Sequence, residues 1–331
     1  MKKIVTVLLV LTFCLVGCFC FIACGQKDDG TIKVNEVTHS VFYAPFYAAI
    51  NLGYFEEYGL KIDLTNGGGS DKSMTAIISG DADIALLGPE TSVYVKSGGS
   101  ANTAKIFAQL TQKDGSFLIG RTAQPDFTWA SLAGKEIIGG RKGGMPAMCL
   151  EYAVAKNGLT DGTDLTINYD VQFDLITAAF ESGIGDYCTM FEPAASQYEQ
   201  SGKGYIVSSV GKEVGNIAYT CFMATEKYIS GNRDKVIRFT KALLKGIKYC
   251  NEESAEKVAE AVQGSFSTTD LSLLKKAVQS YKDIDAWTTV PYMTEESFDG
   301  LQDVLLRAGT IQSKVSYGDV VDNGILDEIL K

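Results

Sequence analysis

SGDADIALLGPE, residues 79–90, and SGIGDYCTMFEPA, residues 182–194, are two versions of one phrase. Each runs from a Ser-Gly turn to an aspartate that opens a short apolar stretch, then to a proline at the start of the next helical segment. Ser79 and Ser182, Gly80 and Gly183, and Asp83 and Asp186 are each 103 positions apart, Pro89 and Pro193 are 104 apart, and Pro45 and Pro146 are 101 apart. Offsets this close to one another predict two similar units of about a hundred residues each.

Outward from both copies the chain alternates apolar strands with helices, the pattern of a parallel sheet with crossover helices. Strands are expected at 32–38, 61–65, 83–88 and 104–110, with helices starting near Ala44, Ser70 and Glu90. The order recurs at 135–139, 165–171, 186–191 and 205–209, with helices from about Pro146, Asp174 and Pro193. One more strand is expected at 216–225, and the rest reads as helices over 233–251, 254–263, 271–281, 295–308 and 319–330. In the first of these, Val236, Ile237, Phe239, Leu243, Leu244 and Ile247 keep helical spacing. The fold class is therefore α/β, with two Rossmann-like lobes joined by crossing strands near 110–120 and 210–220 and a helical C-terminal tail. The expected division is 31–120 plus 213–331 for lobe 1 and 121–212 for lobe 2. Two crossings make a hinge.

Of the 331 residues 46% are hydrophobic and 21% charged, which excludes disorder, collagen and a coiled coil. The net charge is −10, and removing the first 23 residues, with Lys2 and Lys3, leaves 28 basic against 40 acidic side chains, or −12. A nucleic-acid partner is excluded because it needs a basic footprint. The acidic charge reads as a solvated outer surface, leaving room for a cleft of the opposite character.

Lys2 and Lys3 precede an apolar run from Ile4 to Ala23 that closes on Phe21-Ile22-Ala23-Cys24-Gly25, followed by Gln26, Lys27, Asp28 and Asp29. This resembles the bacterial lipobox. It implies a signal peptide over 1–23, lipidation of Cys24, a tether over 24–30 and a lipid anchor at the extracytoplasmic face of the cell membrane. Leu15-Val16-Gly17-Cys18 is a second candidate box, and an uncleaved anchor or plain secretion are the other readings. Cys149, Cys188, Cys221 and Cys250 are spaced 39, 33 and 29 apart without a CxxC or HxxxH pair, so no metal site is expected. Buried thiols or one disulfide both remain open for them.

Four of the six prolines, Pro45, Pro89, Pro146 and Pro193, fall just after a strand, where free helix-terminal amides gather at strand ends. The candidate ligand-binding residues lie at these edges. Ser40, Phe42 and Tyr43 follow the first strand and offer hydroxyls and aromatic faces. Gly69 and Ser70, in the run Gly67-Gly68-Gly69-Ser70, offer amides, but the run lacks the lysine of a P-loop and the spacing of a dinucleotide site. Gly88, Pro89 and Glu90 form another edge, with Glu90 suited equally to the dipole of its own helix. Arg141, Gly143, Gly144 and Met145 could seat an anionic group, with Arg121 as an alternative counter-charge. Phe173, Phe191 and Glu192 complete the set, Glu192 also being placed to cap its own helix. Phe46 is a further aromatic expected near the cleft. His39, the single histidine, suits the edge of a core better than chemistry, and Trp287 suits packing better than stacking.

Four segments, VTHSVFYAPFYAAINLGYFEEYGLKIDL (37–64), GGGSDKSMTAIISGDADIALLGPE (67–90), GGRKGGMPAMCLEYAVAKNGL (139–159) and FEPAASQYEQSGKGY (191–205), resemble successive strand-helix junctions of ABC-importer solute-binding proteins. The group is the one that serves sulfonate, taurine, nitrate and thiamine-pyrimidine or other small-heterocycle transport. The resemblance implies a type II periplasmic-binding-protein fold that closes on one small molecule, without a cofactor, and delivers it as a monomer to a permease and its ATPase. The aromatic edges tilt the ligand toward a thiamine-pyrimidine precursor or similar heterocycle, with a sulfonate, taurine or nitrate anion as the alternative. A surface sensory receptor is a different class with the same cleft. A pyrimidine synthase shares this fold but uses a cysteine-rich stretch and several histidines, so an enzyme is not expected.

Overall fold

In the computed structural model, which describes residues 29–100 and 102–331, the strands form two five-stranded sheets. In chain order they are β1 (Thr31–Glu36), β2 (Lys61–Asn66), β3 (Ile84–Leu87), β4 (Ala104–Thr111), β5 (Ser116–Gly120), β6 (Glu136–Ile138), β7 (Thr166–Asn168), β8 (Tyr187–Phe191), β9 (Tyr205–Ser209) and β10 (Thr220–Thr225). The first sheet runs β2-β1-β3-β10-β4 and the second β7-β6-β8-β5-β9. In each, three strands are parallel and the fourth is antiparallel to both of its neighbours. The readings at Cys18 and Cys24 lie outside the described residues.

The duplicated phrase marks the same joint twice. The Asp83 amide donates to the Lys33 carbonyl at 2.9 Å while its carboxylate accepts from the Lys33 amide at 2.9 Å. Asp186 grips Glu136 in the same way, at 2.8 and 3.0 Å. Each aspartate thus extends the ladder by one rung and sets the start of the central parallel strand. The serine-glycine pairs before them turn the chain, Gly80 and Gly183 adopting φ of +86° and +102°, a region glycine enters without a Cβ clash.

Two expectations need correction at their edges. The crossing expected near 110–120 contains β5, which pairs with β8 and β9 in the second sheet, so only residues 112–115 connect the sheets there. All five residues of β5 are buried, and its SFLIG sequence follows directly on a polar turn. The last helix divides into Tyr317–Val320 and Gly324–Leu330, because the chain between them leaves helical geometry to run beside β4, where Asp322 N–H donates to the Ile106 carbonyl at 2.8 Å.

The tail covers the first sheet. Its longest helix, Arg233–Glu252, packs against the helix Ala44–Asn51 so closely that a Cβ on Gly246 would lie 2.1 Å from the Pro45 carbonyl oxygen. Phe46 is fully buried beneath this contact among Phe55, Phe222 and Phe239, which makes it a core residue instead of a cleft aromatic. Cys149, Cys188, Cys221 and Cys250 are buried free thiols. Among the described residues no helix is long and apolar enough to cross a membrane.

Candidate functional site

The carboxyl ends of the parallel strands in both sheets open onto one cleft. Pro45 and Pro146 lie in the first turns of the helices Ala44–Asn51 and Met145–Lys156; Pro89 and Pro193 sit one residue earlier, capping Glu90–Ser97 and Ala194–Gln200. Tyr43, Gly69, Ser70, Gly88, Glu90, Arg141, Gly144, Met145, Phe173 and Phe191 all line the cleft. The cleft is narrow and partly open to solvent, with walls from both sheets.

The wall is built from both sides. From the first, the Ser70 hydroxyl accepts from the Gly88 amide at 3.2 Å and ties the helix Ser70–Ser79 to the end of β3. From the second, Gly144 caps the helix Met145–Lys156 and leaves its first turn facing the cleft. Arg141 reaches across to Asp71 at 3.8 Å, and Tyr94 O–H donates to the Gly143 carbonyl at 2.8 Å.

Glu90 is the exceptional group. It is fully buried, and the donors nearest its carboxylate are two backbone amides, its own and that of Met145, neither in good hydrogen-bond alignment. Burial raises its pKa to about 7, tempered by its own amide, the Arg141 charge and the nearby Met145 amide, while Asp71 pushes it up. The carboxylate folds back over Gly88, where a Cβ would lie 2.0 Å from Oε2. Behind Tyr43 and Tyr219 lies a second buried acid, Asp114, raised to about 6 by burial although it accepts from the Ser116 amide at 2.7 Å and from the Ser116 hydroxyl. The charged groups on the cleft wall are therefore Asp71, Glu90 and Arg141, with the arginine already matched by Asp71. The cleft does not have the opposite character to the acidic surface.

Five of the candidate residues sit elsewhere. Ser40 caps a single helical turn and donates to the Glu192 carbonyl at 2.6 Å. The Glu192 carboxylate caps its own helix, accepting from the Ser196 amide at 2.9 Å and hydroxyl at 2.8 Å, while the Glu192 amide donates to Tyr281. Phe42 is fully buried against Phe191, Tyr219 and Tyr281, and its carbonyl accepts from Trp287 Nε1 at 2.8 Å. Pro89 is the helix cap, and Gly143 is taken by Tyr94. Arg121 stacks on Phe180 and donates to the carbonyls of Phe180, Ile184 and Gly185, so it is no counter-charge for a ligand. His39 joins Glu36 and the Ser265 carbonyl at the edge of the core.

Pro146 and Gly68, from the proline and glycine edges already noted, line the cleft too, and so do residues that the pattern did not single out: Val37, Asp71, Gly139, Ala147, Gln172, Tyr219 and Thr220. Asp71 carried a usable signal as an acidic residue in a helix first turn. Tyr219 and Thr220 did not, because they reach the cleft only through the insertion of β10 between β3 and β4. Among the described residues no group of three or more His, Cys, Asp or Glu side chains could hold a metal.

Known proteins agree with this architecture. The chain is 38% identical over 312 residues, 94% of its own length and 93% of the other, to YtlA of Bacillus subtilis (strain 168), named there as a candidate binding protein. The alkanesulfonate-binding protein SsuA from Xanthomonas axonopodis pv. citri, bound to MOPS, superposes with a TM-score of 0.72 at 15% identity, covering 88% of this chain and 98% of that one. The periplasmic nitrate-binding protein NrtA from Synechocystis PCC 6803 superposes with a TM-score of 0.69 at 14% identity, covering 91% and 88%. The two-sheet architecture is thus the periplasmic-binding-protein fold. The NMT1/THI5-like family model matches residues 41–257, both sheets' strand-helix junctions included, and with a long relative at this identity the chain belongs to that family.

Proposed function

We propose that the protein is the solute-binding component of an ABC importer, capturing a small molecule in the cleft and delivering it to a permease and its ATPase. One observation carries this reading: both sheets line the cleft, and three contacts, Ser40 to Glu192, Tyr94 to Gly143 and Asp71 to Arg141, join residues from opposite sides of the two connections. The first sheet with the tail and the second sheet are the two bodies. Opening about residues 112–115 and 210–219 breaks those contacts, and a ligand touching both walls restores them. The protein acts as a monomer, lipid-anchored at Cys24 on the extracytoplasmic face, and binds without catalysing a reaction.

The ligand this cleft suits is a thiamine-pyrimidine precursor or similar small heterocycle, because Tyr43, Phe173, Phe191 and Tyr219 supply ring surface. The alternative, a sulfonate or nitrate, is favoured by the helix first turn at Met145 and by the names of the two superposed proteins. It is disfavoured by the pairing of Arg141 with Asp71. Native mass spectrometry of the purified protein, with melting and X-ray scattering across pyrimidines, sulfonates, taurine and nitrate, tests the function. A bound solute that raises the melting temperature and shrinks the scattering radius is expected. If no solute moves either quantity, the transport reading is wrong.

A further inference from the structure

At the end of β4 two glutamines each use one half of the side-chain amide and leave the other idle. Gln109 Nε2 donates to the Thr111 carbonyl at 3.1 Å, and Gln112 Nε2 donates to the carbonyls of Asp285 at 3.1 Å and Trp287 at 3.2 Å. A nitrogen held by carbonyls fixes which way the amide points, so the idle atom of each is the oxygen. Among the described residues no donor bonds either oxygen. Gln109 is 4% exposed, yet its oxygen is not sealed from solvent, and the space that both glutamines line is a hollow outside the cleft. A buried amide oxygen left without a donor is costly unless something in that space serves it.

The hollow is wider than the cleft and shares no wall residue with it. Ile217 of the second connection forms part of it, Tyr152 comes from the helix Met145–Lys156, and Arg307 ends the helix Glu295–Arg307. The Arg307 guanidinium lies 5.6 Å from the centre of the Tyr152 ring and has no carboxylate partner among the described residues. Thr289 and Ser297 add hydroxyls. Of the two acids on the wall, Asp303 pairs with Lys314 at 2.8 Å, which leaves Glu296 to balance Arg307.

We propose that this hollow is a second binding site, for a neutral polyhydroxylated ring the size of a monosaccharide. Its wall presents acceptors at Gln109 and Gln112, a donor at Arg307, hydroxyls between them and no net charge. A hydroxyl both donates and accepts, so a ring that carries several serves all of these groups at once. Tyr152 and Tyr292 supply apolar surface for the C–H face of such a ring. An anion would meet the glutamine oxygens and Glu296, and a cation would meet Arg307. The site goes beyond the transport reading and does not depend on it.

Saturation-transfer NMR and titration calorimetry of the purified protein with D-glucose, D-galactose, D-mannose and myo-inositol test this. At least one of the four should show saturable binding that neither sulfate nor methylammonium displaces. Gln109→Met and Tyr152→Ala should each weaken it at least tenfold with circular dichroism unchanged, and Gln112→Leu, at the rim, takes the place of either variant that does not fold. Phe173→Ala, in the cleft, should leave it as it is. Absence of saturable binding with all four, affinity unmoved by the hollow variants, displacement by either ion, or loss in Phe173→Ala would each overturn the proposal. None of these results decides the transport reading, which rests on the melting shift produced by a cleft solute.

Discussion

Glu90 makes the unliganded protein sensitive to pH in an uncommon direction. Its folded pKa, about 7, lies above the ordinary carboxyl value of 4.5, so the folded state holds an extra proton between the two. Stability is then lost as pH rises through that window, by up to about 3 kcal/mol. The groups facing Glu90 are Asp71, Arg141, Tyr43, Tyr94, Cys149 and Cys221, and of these Arg141 opposes the shift while Asp71 reinforces it. Asp114, raised to about 6, adds a fall of the same sign. Urea unfolding of the ligand-free protein should therefore give lower stability at pH 8 than at pH 5, and Glu90→Gln should recover part of the difference. A steeper fall in the variant would contradict this account. Gly88→Ala probes the same site from below. Its Cβ would meet Oε2 at 2.0 Å, so the carboxylate must leave its buried seat, and the loss of stability between pH 5 and pH 8 should shrink in the variant.

The elements were legible where one residue does one local job. Asp83 and Asp186 each latch the neighbouring strand, and a carboxylate with that duty leaves the same mark in both halves of the chain. Prolines at helix starts mark the junctions for the same reason. Legibility ended where a role depends on a distant partner. Ser40 and Glu192 have the right chemistry for a ligand, yet Ser40 binds the Glu192 carbonyl 152 residues away. The burial of β5 on both faces and the arrival of Tyr219 beside Tyr43 follow from pairing order, which no local pattern records. Two contacts between elements can be tested. Gly246→Ala should destabilise the protein by about 1–3 kcal/mol in denaturant, since its Cβ would press on the Pro45 carbonyl, a rigid backbone atom. Tyr94→Phe removes the bond to Gly143 that spans the cleft, and the ligand-free variant should scatter with a larger radius than the wild type at one pH. Equal radii would show that this bond does not hold the cleft closed.

At the scale of the molecule the two sheets share a plan but not a history. The second is drawn from one continuous stretch, β5 to β9, whereas the first has β10 set between β3 and β4. A chain growing from its amino end, or threading through a secretion pore, has therefore made every strand of the second sheet before the first sheet can be completed. Until residue 225 emerges, β3 and β4 keep unpaired edges that invite aggregation. The second half should therefore fold first and the first half last. A fragment of residues 113–214 should fold alone with a cooperative melt, while a chain of residues 29–214 should aggregate despite containing more of the protein. A holding chaperone would thus be needed most while the middle of the chain is being released.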